Sequence, residues 1–274
     1  MSGKLYLVGT PIGNLGDISP RGLETLGRVD FIAAEDTRVT IKLLNYFGIS
    51  KPMISYHEHN RRDMGEKIAS RILDGQSCAI VTDAGMPCVS DPGEELVALC
   101  AERGIAMEVI PGPTALTAAL ALSGLPTGRF AFEGFLSVQK NSRLSHLDAI
   151  KDDMRTLIFY EAPHKLIHTL ADMLHIFGDR RIAIAREMTK LHEEVIRTTL
   201  SEAVTHFAEK APRGEFVLIV AGAPPKERVQ IPFEEAVLLV KKLREEGMSA
   251  ASAAKQIAKE TGYLRSNLYK TTFG

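Results

Sequence analysis

Three short apolar runs in this chain each open directly into a loop of glycine and proline, and that pattern confines the fold more than any other feature. Leu5–Val8 runs into Gly9-Thr-Pro-Ile-Gly-Asn14, Cys78–Val81 into Thr82-Asp-Ala-Gly-Met-Pro-Cys-Val-Ser-Asp-Pro-Gly93, and Ala106–Ile110 into Pro111-Gly-Pro-Thr-Ala115. A continuous apolar run of this length suits a strand buried on both faces, as in a parallel sheet covered by helices. Sheets of that kind bind ligands at the carboxyl ends of their strands, where these loops fall. Glycine there lets backbone approach a ligand closely. Three such loops at successive strand ends imply one pocket rather than three unrelated turns.

Helical patterns fill the intervals. Ser19 before Pro20 makes an N-cap and first-turn pair ahead of Leu23 and Leu26. Helices are expected over Val39–Phe47, Asp63–Leu73, Glu94–Glu102 and Pro113–Leu122, with Ser90 or Asp91 capping the third. Phe31–Ala34 reads as a further strand. This alternation argues for an α/β fold with a mostly parallel sheet. Residues 126–141 mix Pro, Gly, Ser and Lys and read as a crossing between domains. Beyond it come strands Thr156–Tyr160, Arg181–Ala185 and Phe216–Ala221, an extended segment Glu194–Thr199, and helices Lys165–Phe177 and Glu202–Glu209. Pro224, Pro225 and Pro232 mark a linker. The expected division is an N-terminal α/β domain, 1–126, a second α/β domain, 127–225, and a helical tail, 226–274.

In the tail, one helix starts at Phe233 and stops at Gly247, Ser249 caps Ala250–Thr261, and Ser266 caps a short third helix. Helix, tight glycine turn, helix is the helix-turn-helix pattern of nucleic-acid binders, and equally that of a small bundle that only packs on a neighbour. From Lys226 onward nine Lys/Arg face six Asp/Glu, against 24 and 28 in the rest, whereas the whole chain carries −1. That balance excludes a uniformly basic coat and hints at a separate job for the tail. Cys78, Cys88 and Cys100 show no paired spacing and read as free thiols of a reducing cytoplasm. No secretory signal is legible, and Ile110–Leu125 is too short and too interrupted to span a bilayer. His57 and His59 lack further ligands at metal spacing, so no metal is expected.

Taken in order, LYLVGTPIGNLGDI, AAEDTR, VTDAGMPCVSDPG, PGPTA, EGFL, TLIFYEAPHK, ARE-M-TK and GEFVLIV resemble the tetrapyrrole-methylase group of S-adenosylmethionine enzymes. Within it the chain is similar to the bacterial family that methylates ribose 2′-hydroxyls of small-subunit ribosomal RNA. The resemblance runs from Leu5 to Val220, and the tail resembles that group's helix-turn-helix module. The family usually has Ser and Thr at the positions of Thr82 and Met86, and Leu at that of Met188. The resemblance implies two α/β domains of the tetrapyrrole-methylase type with a cofactor cleft between them. Carried over by position, S-adenosylmethionine would contact Ile12, Ala84, Gly85, Met86, Val89, Thr114 and Ala115 from the first domain. From the second it would contact Tyr160, Glu161, Met188 and Phe216. A homodimer is implied as well, acting on a cytidine of 16S ribosomal RNA, in the assembled small subunit.

A ribose hydroxyl is a poor nucleophile, so a base or a charge-stabilising cation is expected. Glu161, Arg186 and Lys190 are the catalytic candidates, and Glu35, Asp36, Asp83, Glu187, His164 and Lys165 also sit at strand ends. Glu35 or Asp36 with Arg38 reads equally as an ion pair fixing their loop. Contacts to RNA are expected from Asp36, Arg38, His164, Lys165 and Lys190, with Arg61 and Arg62 as further cations for its backbone. Two other functions compete: methylation of a tetrapyrrole or another small molecule on the same fold, and a nucleic-acid-binding regulator with a degenerate body. AAEDTR, FYEAPHK and the basic tail favour RNA over a tetrapyrrole, and the intact loops argue against the regulator.

Overall fold

In the computed structural model, residues 3–225 and 231–273 are described; residues 1–2, residues 226–230 in the middle of the expected linker, and Gly274 lie outside them. The elements of the first half are β1 (Lys4–Val8), α1 (Pro20–Arg28), β2 (Phe31–Ala34), α2 (Thr37–Tyr46), β3 (Met53–Ser55), α3 (Arg61–Leu73), β4 (Cys78–Val81), α4 (Glu94–Glu102), β5 (Ala106–Ile110) and α5 (Ala115–Leu122). Their strands form one sheet in the order β3-β2-β4-β1-β5, and every pairing in it is parallel. All of β2 and β4 is buried, because helices cover both faces. Leu5, Phe31, Cys78 and Ile80 pack with Ile68 and Leu96 on one face. Val8, Ile32, Ala79 and Val81 pack with Leu26 and Leu44 on the other. Each of the leucine, isoleucine, valine and phenylalanine side chains contributes about 1.5–3 kcal/mol when fully buried.

The second half contains β6 (Phe130–Phe135), α6 (Lys140–Ile150), β7 (Thr156–Glu161), α7 (Pro163–Phe177), β8 (Arg181–Arg186), β9 (Glu194–Thr199), α8 (Leu200–Glu209) and β10 (Phe216–Val220). This sheet runs β6-β7-β10-β8-β9 and is mixed: β6 and β7 are parallel, and the other pairs are antiparallel. The sheets fall on either side of residue 126, which we propose as the domain boundary.

Three elements depart from the sequence reading. Residues 126–141 hold the edge strand β6, where a mere crossing was expected. α6 was missed because its inward face carries Arg143, 6% exposed and paired with Asp172 at 2.7 Å, where a periodicity argument looks for an apolar residue. β3 is three half-buried residues at a sheet edge, too short to show alternation. Capping was misread twice. Gly93 (φ 137°) precedes α4, so neither Ser90 nor Asp91 caps it. The third tail helix starts at Arg265, which puts Ser266 inside it.

The chain divides into two compact units, Met1–Ala223 and Pro224–Gly274. The second is a three-helix unit, α9 (Phe233–Glu245), α10 (Ala250–Thr261) and α11 (Arg265–Phe273), around Val237, Val240, Ala253, Ala254, Ile257 and Leu268. Ser249 accepts a hydrogen bond from the Ser252 amide at 3.2 Å, and Gly262 (φ 81°) closes α10, both as read from sequence. The three thiols are free, with Cys78 and Cys100 buried. Among the described residues no helix is long and apolar enough to cross a membrane.

Candidate functional site

The three glycine-proline loops are fastened to one another by backbone. The Thr10 amide donates to the Gly85 carbonyl at 2.9 Å, and the Gly85 amide donates back at 3.1 Å. The Thr10 hydroxyl donates to the Thr82 carbonyl at 3.1 Å. Gly9 and Gly112 touch along their main chains: a Cβ on Gly9 would stand 2.7 Å from the Gly112 Cα, and one on Gly112 would stand 2.8 Å from the Gly9 Cα. Only hydrogen fits in that space, which is the physical reason for glycine at both positions.

Strain accumulates around the same place. Gly85 and Gly93, and more unusually Cys88 (φ 70°) and Ser90 (φ 65°), take left-handed backbone within a single loop. The second sheet supplies a counterpart, Glu187 (φ 50°) and Thr189 (φ 65°), on either side of Met188. Side chains in that region of φ cost energy and persist where surrounding structure over-determines them, commonly at ligand sites.

These loops and the ends of β6, β7 and β10 enclose a cavity of about 490 Å3. All eleven residues expected to hold the cofactor line it: Ile12, Ala84, Gly85, Met86, Val89, Thr114, Ala115, Tyr160, Glu161, Met188 and Phe216. Glu35, Asp83, Asp91, Phe135 and Glu215 also line it and were not among those eleven. Thr114 caps α5, accepting from the Thr117 amide at 3.4 Å. The Leu116 amide donates to the Tyr160 hydroxyl at 3.2 Å, fastening α5 to β7 beside the cavity. Burial raises the Tyr160 phenol above its ordinary value, so it stays neutral.

The charged candidates separate into distinct roles. Glu161 is buried and fully engaged: its carboxylate accepts from the Ala162 amide at 2.8 Å and the Thr169 hydroxyl at 2.5 Å, and pairs with Lys165 at 2.8 Å. Lys165, expected on RNA, is a mostly buried clamp, its ammonium also donating to the Leu136 carbonyl at 3.1 Å. His164 is exposed at the start of α7. Lys190 bridges Glu187 at 2.9 Å and Glu215 at 2.7 Å. Burial opposes its charge, but those two carboxylates outweigh it and raise its pKa. Arg186 lies outside the cavity wall, in a neighbouring groove of about 400 Å3, with its guanidinium on the Arg213 carbonyl and Glu194. Asp36 and Arg38 do form the ion pair, forked at 2.6–3.1 Å, which holds the Asp36 carboxyl down to about 2. Asp36 thereby caps α2 two residues ahead of its expected start.

One titratable group was missed as such. Asp91 is half-buried in the cavity wall, and burial, followed by repulsion from Glu35 and Asp83, pushes it up to about 7. Asp83 is raised by the same causes, burial and then Glu35. The signal available in sequence was a second and third carboxylate, Asp83 and Asp91, in a loop already marked as ligand-type. Among the described residues no group of His, Cys, Asp and Glu is arranged to hold a metal.

Residues 4–204 match the model of the family described as Tetrapyrrole (Corrin/Porphyrin) Methylases. The chain belongs to that family, and it is a methyltransferase. Its curated relatives include proteins called Ribosomal RNA small subunit methyltransferase I. The one from Synechocystis sp. is 49% identical over 98% of this chain and 96% of its own length. That from Halalkalibacterium halodurans is 46% identical over 97% and 93%. The Thermotoga maritima relative is 50% identical over 80% of this chain and 99% of itself. Among solved structures, the tetrapyrrole methylase fold recurs in a diphthine synthase (TM-score 0.63, 17% identity, 88% of this chain and 95% of that one). It recurs also in a uroporphyrin-III C-methyltransferase from Thermus thermophilus complexed with S-adenyl homocysteine (TM-score 0.55, 19% identity, 79% and 97%).

Proposed function

We propose that this methyltransferase uses S-adenosylmethionine to methylate the ribose 2′-hydroxyl of a cytidine in 16S ribosomal RNA, on the assembled small subunit. The observation that carries the reading is the convergence of all eleven expected cofactor residues on one cavity. Its support in kinship is the shared name of relatives that match nearly the whole chain.

The cavity suits such a cofactor. Its volume lies within the roughly 300–1,000 Å3 common for small-molecule sites, and its wall is mainly apolar with a few polar groups. When bound, S-adenosylmethionine supplies a methyl group on a positively charged sulfur, ready for in-line attack by an oxygen. Loops 84–86 and 114–115 present backbone donors and acceptors at close range, since small residues keep side chains out of the way. Met86, Met188, Ile12 and Val89 exclude water, which strengthens every charge interaction inside. Asp91 is the group suited to take the proton of the acceptor hydroxyl, because a base works best with a pKa near the working pH. Glu161 and Lys190 position the wall, whereas Arg186 faces a separate groove. A homodimer in the cytoplasm belongs to the same reading.

The test offers labelled S-adenosylmethionine to the protein with small ribosomal subunits, naked ribosomal RNA, or uroporphyrinogen. Label is expected in a ribose of the subunit RNA. Label in the tetrapyrrole alone would sink the proposal.

A further inference from the structure

At the edge of the second sheet an aromatic ring is held out into the cavity mouth, and the strand is built irregularly to do so. Phe132 of β6 pairs with Ile158 and Phe135 with Tyr160, so three steps on β6 span two on β7. The extra residue is a bulge, with Gly134 in left-handed backbone (φ 65°). In a regular strand, positions 132 and 135 face opposite sides. The bulge cancels that alternation, and both rings reach Tyr160, at centroid distances of 4.9 and 5.5 Å.

Phe135 is braced from behind and open in front. Tyr160 is fixed by the Leu116 amide, and the Lys165 ammonium lies 5.4 Å from the Phe135 centroid, itself held by Glu161 and Leu136. Yet Phe135 is 54% exposed while lining the cavity. A rigidly supported aromatic face left in water beside a cleft is a surface on which another flat ring can stack.

We propose that Phe135 stacks against the base of the nucleotide being methylated, which sets that nucleotide's ribose over the cavity. This rests on the RNA reading above. A ribose inside stacked RNA cannot be brought in line with a buried methyl group unless its nucleotide leaves the stack. Unstacking is costly, and an aromatic face at the mouth recovers part of that cost without reading the base's hydrogen-bonding edge. Phe135 touches the substrate in this arrangement and sets its position, taking no part in proton movement.

The test measures methyl transfer to small subunits, together with S-adenosylhomocysteine affinity, for F135A, F135L and F135W in the full chain. F135A and F135L are expected to lower kcat/KM for subunits on the order of tenfold to a hundredfold, with S-adenosylhomocysteine affinity unchanged. F135W, which keeps a stacking face, restores transfer. The sequence contains no tryptophan, so the new indole is the chain's single tryptophan reporter. Its emission is expected to stay constant when S-adenosylhomocysteine is added alone. Full activity of F135L would overturn the proposal, since an apolar cover would then suffice. A parallel loss of S-adenosylhomocysteine affinity, or an emission change on adding it alone, would also overturn it by placing Phe135 on the cofactor. Absence of transfer by the unaltered chain would instead sink the RNA reading itself.

Discussion

Thr82 holds its hydroxyl 2.6 Å from a carboxylate oxygen of Glu35. Glu35 lies beside Asp91 in the same wall, and burial, followed by the charges of Glu35 and Asp83, raises the Asp91 carboxyl against an opposing hydrogen bond from Thr82. The cavity wall is thereby arranged to favour Asp91 in its protonated form until the pH nears neutrality.

Methyl transfer should therefore rise with pH through about 7, as Asp91 loses its proton. D91N should lower kcat by about 10²–10⁴ and abolish that rise. The folded protein holds this proton more tightly than the unfolded chain, so the group's stabilising contribution is present below its ordinary carboxylate range. It is lost as pH rises through about 7. D91N should then melt higher than the unaltered protein at pH 8, and lose that advantage at pH 4. A pH–rate profile and melting curves at the two pH values check both statements. An unchanged profile in D91N would remove Asp91 from the chemistry.

The contact between Gly9 and Gly112 gives a second prediction. Alanine at position 9 would also meet the Met86 sulfur at 2.6 Å, where a flexible side chain can yield. The Gly112 backbone at 2.7 Å cannot, so the first and third loops must part. Overpacking of this kind costs about 1–3 kcal/mol. G9A should weaken S-adenosylhomocysteine binding by at least about tenfold in calorimetry. G27A, where nothing lies within 4 Å, serves as the neutral comparison.

How much of this was legible beforehand follows from where the apolar pattern is clean. Cys78–Val81 and Phe31–Ala34 are buried on both faces, and their runs gave both strands to the residue. The loops after β1, β4 and β5 could be read as a pocket because all three gather glycine and proline at the carboxyl ends of strands. β6 and α6 were illegible for the opposite reason: one contains a bulge that breaks the alternation, and the other buries an arginine. Asp91 and Phe135 escaped notice because their roles come from neighbours far away in sequence. Asp91 depends on Glu35, and Phe135 on Tyr160. The Lys165 clamp was illegible because a lysine opening a helix looks solvated until its contacts with Glu161 and Leu136 are known.

That clamp yields a third prediction. The Lys165 side chain is 13% exposed and that of Glu161 1%, so removing either leaves the other charge buried alone. E161A should destabilise by about 3–5 kcal/mol, and the double change E161Q with K165M by much less, because no unpaired charge remains. Denaturant titration of the two variants decides it. Equal losses would show that an unpaired buried charge does not carry the effect.

The tail can be separated from the chemistry. The Thermotoga maritima relative spends 99% of its length on 80% of this chain, so it has no counterpart for the remaining fifth. The family match also ends at residue 204, ahead of the three-helix unit. That unit has its own core, and its outward residues Lys255, Lys259, Arg265 and Lys270 are exposed cations suited to a phosphate backbone. Deleting residues 226–274 should leave S-adenosylhomocysteine affinity unchanged, since every residue lining the cavity precedes that point. It should raise KM for small subunits with little change in kcat, and flatten the dependence of that KM on salt as phosphate contacts are lost. Charge reversal at Lys255 and Lys259 should reproduce part of the effect without removing the helices. An identical KM and salt dependence after deletion would assign the tail to packing alone.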